Sequence, residues 1–288
     1  RGGYCFILAG AFGALLHTLN FDVMLLSSNV SGDPPTEESW GNHVVVVVRI
    51  DDDLWVADVG LGDGPMLPFR LPIASPKGTK LTWEERGWRY AVEERPHGLL
   101  WRFTHHPGVG SFPGFELDLS GRQNSPPKGP AAEYWPMAEA LAVEANCVAE
   151  AGCESEPERL SMMAPLFVSH HLRYWLDPTS PYVRSGVVLL KRTKDGVLKL
   201  RGFRLWFINP GQIERAHAIQ SEARTAATTN AVDQQLLREA TDREDWLQLV
   251  AETFGLHLRD LLSAYELDVL WERVSADNRC FKSDDAIY

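Results

Sequence analysis

The sequence predicts an α+β protein, and three observations carry that expectation. An apolar stretch with helical periodicity lies close to residue 1. A run of short β-type segments follows it. A second amphipathic helical pattern lies near residue 250.

The elements can be justified in chain order. Arg1-Gly2-Gly3-Tyr4-Cys5 reads as a tight turn, because paired glycines accept backbone angles that other residues resist. From Phe6, the residues Ala9, Phe12, Leu16 and Leu19 recur at helical spacing. Gly10 and Gly13 would let that helix pack closely. Asn20 is its expected stop, since Asn tolerates the left-handed conformation. Strands are expected at Phe21–Leu26, Val44–Ile50, Leu54–Asp58, Leu99–Phe103 and Phe115–Leu119, punctuated by Pro and Gly. A further hairpin joins Val187–Lys191 to Val197–Leu200 through the favoured turn pair Asp195-Gly196. Residues 120–165 read as a surface excursion with one helix near Met137–Ala151, and residues 211–245 as polar and exposed. A final amphipathic helix is expected over Trp246–Phe254, with Gly255 as its stop.

Composition narrows the function. The 288 residues are 44% hydrophobic and 23% charged, values of a globular chain. A formal net charge of −11 argues against nucleic acid or an anionic membrane as partner. The longest apolar run, Val44–Val48, has the length of a strand and not of a membrane span. The four cysteines, Cys5, Cys147, Cys153 and Cys280, form no Cys-x-x-Cys pair, so no metal site is expected. So few cysteines do not build a secreted disulfide framework, and the expected location is a reducing cytoplasm. Residue 1 is Arg and no leader is legible, so a missing upstream segment is expected.

One constellation carries chemistry. Thiol catalysis needs a thiolate, a base to form it and a group to orient the base. Cys5 stands at the start of the first helix, where the partial positive charge of the terminus favours an anion. His43 opens one strand and Asp58 closes the next, with the acidic link Asp51-Asp52-Asp53 between them. A two-residue turn at Asp51-Asp52 sets Asp58 opposite Val45. It makes His43 and Asp58 diagonal neighbours on one face, with Cα atoms about 7–8 Å apart. A three-residue turn would put them on opposite faces. Taken singly, each residue has a bland reading: a buried cysteine, a strand-end histidine, a turn-capping carboxylate.

Together the residues resemble a known family. Arg1-Gly2-Gly3-Tyr4-Cys5-Phe6 is similar to the nucleophile signature of arylamine N-acetyltransferases. Asn42-His43 before a β run resembles that family's histidine element, and Ala57-Asp58-Val59-Gly60-Leu61-Gly62 its aspartate element. Asp177-Pro178-Thr179-Ser180-Pro181-Tyr182-Val183 and Glu252-Thr253-Phe254-Gly255-Leu256 resemble later segments.

The resemblance implies Cys5 as nucleophile, His43 as base and Asp58 as its orienter. It implies acetyl-CoA as acyl donor, an arylamine or similar small-molecule amine as acceptor, and ping-pong chemistry through an acyl-cysteine. It also implies a cysteine-proteinase/transglutaminase-like core. Residues 1–20 would be the remnant of a helical domain carrying the nucleophile, 21–185 a β-barrel with the excursion at 120–165, and 186–288 an α/β lid. Gly60, Gly62 and Gly64 form a Gly-rich turn that would let CoA approach the backbone. No helix follows this turn, so a dinucleotide fold is not expected.

The sequence departs from the family where Ile7 and Ala9 replace Glu and Asn, and where Leu61 replaces Phe. The excursion is also longer, and the resemblance implies a helical segment before the Arg-Gly-Gly motif, which is expected to lie upstream of Arg1. Two other functions remain open: another Cys-His-Asp thiol enzyme of transglutaminase or peptidase type, and a catalytically degenerate binding relative. Adjacent His105-His106 and His170-His171 point to opposite strand faces and make poor chelators. Trp101, Trp135, Trp175 and Trp206 are candidates for an arylamine pocket, with core packing as the simpler role. Because the first helix is apolar all round, solvent exposure is expected at Ile7, Leu8, Phe12, Leu15 and Leu16.

Overall fold

The computed structural model describes residues 3–30, 40–95, 100–105, 113–119, 187–209 and 234–281, with isolated positions between 132 and 176. One compact unit comprises Gly3–Glu85 and Arg89–Ser180. The other comprises Pro181–Tyr288 with Arg1–Gly2 and Arg86–Trp88.

The first unit opens with helix α1 (Cys5–Thr18). Its first turn is closed by the Ile7 and Leu8 amides donating to the Tyr4 carbonyl. It ends before Asn20, whose φ of 63° is the left-handed conformation expected there. Ala9 packs with Val23, Leu25, Val44, Val46 and Val48, and Phe6, Phe12 and Leu16 lie against that cluster. A Cβ on Gly13 would sit 3.2 Å from Leu25 Cδ2, so this glycine does bring helix and sheet together. Gly10 has open space instead. The expected exposure holds in graded form: Ile7 and Leu15 are exposed, while Leu8, Phe12 and Leu16 are half-buried.

Eight strands follow: β1 (Asp22–Asn29), β2 (His43–Ile50), β3 (Asp53–Val56), β4 (Phe69–Leu71), β5 (Lys80–Glu85), β6 (Trp88–Glu94), β7 (Leu100–Thr104) and β8 (Gly114–Asp118). They form one antiparallel sheet in the order β4-β3-β2-β1-β8-β7-β6-β5. Val44 to Val48 are all buried, because α1 covers one face of β2 and the curled sheet's own interior covers the other. That explains an unbroken apolar run where a one-sided strand would alternate. Each buried valine contributes on the order of 1.5 kcal/mol or more.

The expected barrel is a curled sheet that is not hydrogen-bonded shut. Its end strands β4 and β5 meet through side chains, with the Phe69 and Trp83 rings 4.9 Å apart. The Glu85 carboxylate adds to this by accepting from the Met66 and Leu67 amides. Three of these strands escaped the sequence reading. β4 is only three residues long between Pro68 and Pro72. β5 and β6 are rich in charge around the turn at Arg86-Gly87.

The second unit holds a four-stranded sheet, β12-β11-β10-β9, made of β9 (Val188–Arg192), β10 (Val197–Arg201), β11 (Arg204–Ile208) and β12 (Gln234–Glu239). Helices α2 (Arg243–Phe254), α3 (Leu258–Leu261) and α4 (Ala264–Phe281) follow it. Leu200, Leu205, Trp246, Leu249, Val250 and Val274 form the core, and Trp246 Nε1 donates to the Gly202 carbonyl at 2.9 Å. Gly255 stops α2 with φ 70°, as expected.

The segment 211–245, expected to be polar and exposed, is largely exposed where it is described, over residues 235–245, and it holds β12 and the start of α2. One expectation is corrected here: Trp246–Phe254 is not the final helix. α4 follows, announced by a capping box in which Ser263 and Glu266 bond each other's amides. The helix expected near Met137–Ala151 lies almost wholly outside the described residues.

Candidate active site

Cys5 is the first residue of α1. Tyr4 before it is extended, with φ −96° and ψ 176°. The thiol is free and half-buried. His43 is the first residue of β2, opposite Ser28 of β1. Asn42, just before it, fastens this corner: its side chain accepts from the Val30 amide and donates to the Val30 carbonyl, at 2.9 and 3.0 Å. Asn42 belongs to the histidine motif in sequence, and in the fold it has this structural role.

The β2–β3 hairpin has the register on which the site depends. Ile50 pairs with Asp53 and Val47 with Val56, so the turn holds only Asp51 and Asp52. Asp51 takes φ 53°, a left-handed turn position. The Ala57 amide still donates to the Val46 carbonyl, which carries the ladder to the level of Asp58. His43 and Asp58 therefore share a face. His43 Nε2 lies 2.8 Å from Asp58 Oδ2, with both side chains almost fully buried. Asp58 Oδ1 accepts from the Gly60 amide at 2.7 Å. With Nε2 taken by Asp58, Nδ1 is the ring nitrogen left for Cys5, whose side chain also bonds the imidazole.

Burial alone would push the His43 imidazole down. The charges of Asp58 and Cys5, with hydrogen bonds to both, outweigh burial and raise it from 6.5 to about 10. A protonated imidazole beside a sulfur is the arrangement by which thiol enzymes hold a thiolate at neutral pH.

Gly60 sits against both partners. A Cβ there would lie 2.7 Å from Cys5 Cβ, 2.9 Å from Cys5 Cα and 2.9 Å from His43 Cε1. Space, not backbone angle, excludes a side chain. Gly60→Ala is accordingly expected to lower the rate of chemistry at Cys5 about 100-fold by displacing the thiol or the ring. Its stability cost should be no more than about 1–3 kcal/mol. Steady-state kcat with a thermal melt measures both, and a wild-type kcat would show that the close approach is not needed. Gly64 closes a turn on the Leu61 carbonyl, and a Cβ on it would press on Leu61. Gly62 lies within that turn.

The departures from the family pattern also find physical places. Ala9 is buried in the α1–sheet core, where Asn would need a hydrogen-bond partner. Ile7 projects into solvent. Trp101 is buried within the sheet interior, in keeping with core packing, and Trp206 is half-buried. Trp135, Trp175, His106, His170 and His171 lie outside the described residues. Among the described residues no three His, Cys, Asp or Glu side chains are placed to hold a metal ion.

In class, this is an α+β protein with a Cys-His-Asp constellation where a helix start meets the ends of two neighbouring strands. Residues 1–105 match the profile of an N-acetyltransferase family. Over 138 residues the chain is 26% identical to the arylamine N-acetyltransferase / N-hydroxyarylamine O-acetyltransferase of Salmonella typhimurium, covering 48% of this chain and 47% of that protein. It is 36% identical over 125 residues to the arylamine N-acetyltransferase of Escherichia coli, covering 43% and 42%. The chain spans about half the length of the curated relatives it matches. The structure of the arylamine N-acetyltransferase from Mycobacterium abscessus matches with a TM-score of 0.58 at 20% identity, over 96% of this chain and 73% of that one. That from M. tuberculosis matches with a TM-score of 0.59 at 17% identity, over 96% and 77%. The chain is thus similar to arylamine N-acetyltransferases in sequence over less than half of its length and in fold over 96% of it.

Proposed function

We propose that this chain is an acyltransferase that moves an acetyl group from acetyl-CoA to an arylamine or similar amine through an acyl-cysteine. The observation that carries the reading is the buried His43–Asp58 bond at 2.8 Å, with Cys5 and His43 both set against Gly60. In this reading the Cys5 sulfur attacks the thioester carbonyl, and the CoA thiolate leaves with the proton of the imidazolium. The amine then attacks the acetyl-cysteine, His43 takes its proton, and the Cys5 thiolate is restored. Asp58 holds the ring and stabilises its charge. Gly60, Gly62 and Gly64 are the backbone that acyl-CoA would approach.

The domain assignment belongs to the same proposal: 1–20 carrying the nucleophile, 21–185 the curled sheet with its excursion, and 186–288 the C-terminal α/β domain. So does a reducing cytoplasm, which would keep Cys5 a thiol. Among the described residues no helix is long and apolar enough to cross a membrane.

The test is a burst of free CoA when acetyl-CoA is added without amine. One CoA per Cys5 is expected, followed by turnover only when an arylamine is supplied. A transglutaminase- or peptidase-type enzyme, or an inert binding relative, gives no burst.

A further inference from the structure

Resting on that reading of the triad, we infer that His105 is a positioning residue, whose Nε2–H holds the loop that presses Gly60 between Cys5 and His43. His105 follows β7, and its amide donates to the Pro113 carbonyl at 2.9 Å, which extends the β7–β8 ladder. Strand alternation puts its side chain on the inner face with Trp101 and Phe103. His105 is 2% exposed, and its Nε2 lies 2.7 Å from the backbone carbonyl of Asp63. A carbonyl only accepts, so Nε2 carries the proton and donates.

Asp63 lies three residues beyond Gly60 and is itself buried. Three anchors therefore hold one loop. Asp58 bonds His43 and the Gly60 amide at its start, and His105 bonds Asp63 at its far side. Glu85 receives the Met66 and Leu67 amides beyond that, at an exposed position where water competes for the same donors.

The two histidines also rest on one aromatic layer. His43 contacts Phe115 at 5.7 Å, Phe115 stacks on Phe103 at 4.7 Å, and His105 meets Phe103 and Tyr90 edge-on. A shift of His105 is thus a shift of Gly60 relative to a ring fixed on the same layer. Misplacement on the order of 1 Å can cost about 100-fold in rate.

The test compares His105→Gln with His105→Asn. The Gln amide nitrogen reaches about where Nε2 stands, while Asn stops one methylene short. We expect Gln to keep kcat within about threefold of wild type and Asn to lose about tenfold or more, with KM for acetyl-CoA little changed. The pH profile of Cys5 alkylation by iodoacetamide should change with Asn and not with Gln. A purely structural role would lower the folded fraction and leave that profile alone. If either variant is recovered unfolded, the other decides: Gln below one-tenth of wild type, or Asn equal to it, overturns the clamp. A wild-type protein that gives no CoA burst overturns the acyl-cysteine reading instead, and the alkylation profiles of the two variants still decide the clamp.

Discussion

Replacing Cys5 by alanine should abolish acetyl transfer, with a fall of about 10⁴-fold or more in kcat. The change removes one sulfur at the first position of α1. The turn that starts the helix is made by backbone, Ile7 and Leu8 to the Tyr4 carbonyl, and does not involve that atom. The core contact of this helix begins at Phe6 and Ala9. The fold should survive, with a stability change within about 1 kcal/mol. The measurements are CoA release, the mass of the protein after acetyl-CoA, and a thermal melt. Wild-type protein should carry one acetyl group, and C5A none. Acetyl transfer at a wild-type rate in folded C5A would mean that no acyl-cysteine is formed and that the amine attacks acetyl-CoA directly.

Asp58→Asn should cost about 10³–10⁴-fold in kcat while leaving the fold in place. Asn keeps the oxygen that accepts the Gly60 amide, so the loop retains its local bond. At the other atom an amide can present its NH₂ to His43 Nε2. That inverts the hydrogen bond and selects the tautomer that cannot serve Cys5.

The same variant should change the pH dependence of stability, and the sign follows from the direction of the His43 shift. The folded protein holds the proton up to about 10, and the unfolded chain releases it near 6.5. Between those values the native state binds more protons than the unfolded state, so stability falls as pH rises. The contribution of His43 is complete below 6.5 and is lost as pH passes about 10. Asp58→Asn removes the largest cause that raises His43, so its stability should vary less over this window. Urea unfolding at the two ends of the window decides it. Equal pH dependence in both proteins would show that Asp58 does not hold the proton on His43.

Much of the site was legible because its rules are local. Strand parity and the acidic link narrowed the register to two turns with opposite consequences, and the structure has the two-residue turn at Asp51-Asp52 that makes His43 and Asp58 neighbours. Asn20 and Gly255 stop their helices with positive φ for reasons visible in single residue types. Other signals were present and passed over. Trp88, Tyr90 and Val92 alternate inward on β6, and Ser263 with Glu266 marks the start of α4.

The α+β class, the first helix and the strand pair that carries His43 and Asp58 are thus readable from local sequence. The tertiary structure alone decided how those parts are held. The sheet closes by Phe69 against Trp83, Glu85 takes the amides of Met66 and Leu67, and His105 takes the carbonyl of Asp63 across 42 positions of sequence. The physical reason lies in the partners. Every residue has a carbonyl and nearly every residue an amide, so a side chain bonded to distant backbone leaves no mark on the identity of its partner. Periodicity reports which face a residue occupies, and only the folded chain reports what stands opposite it.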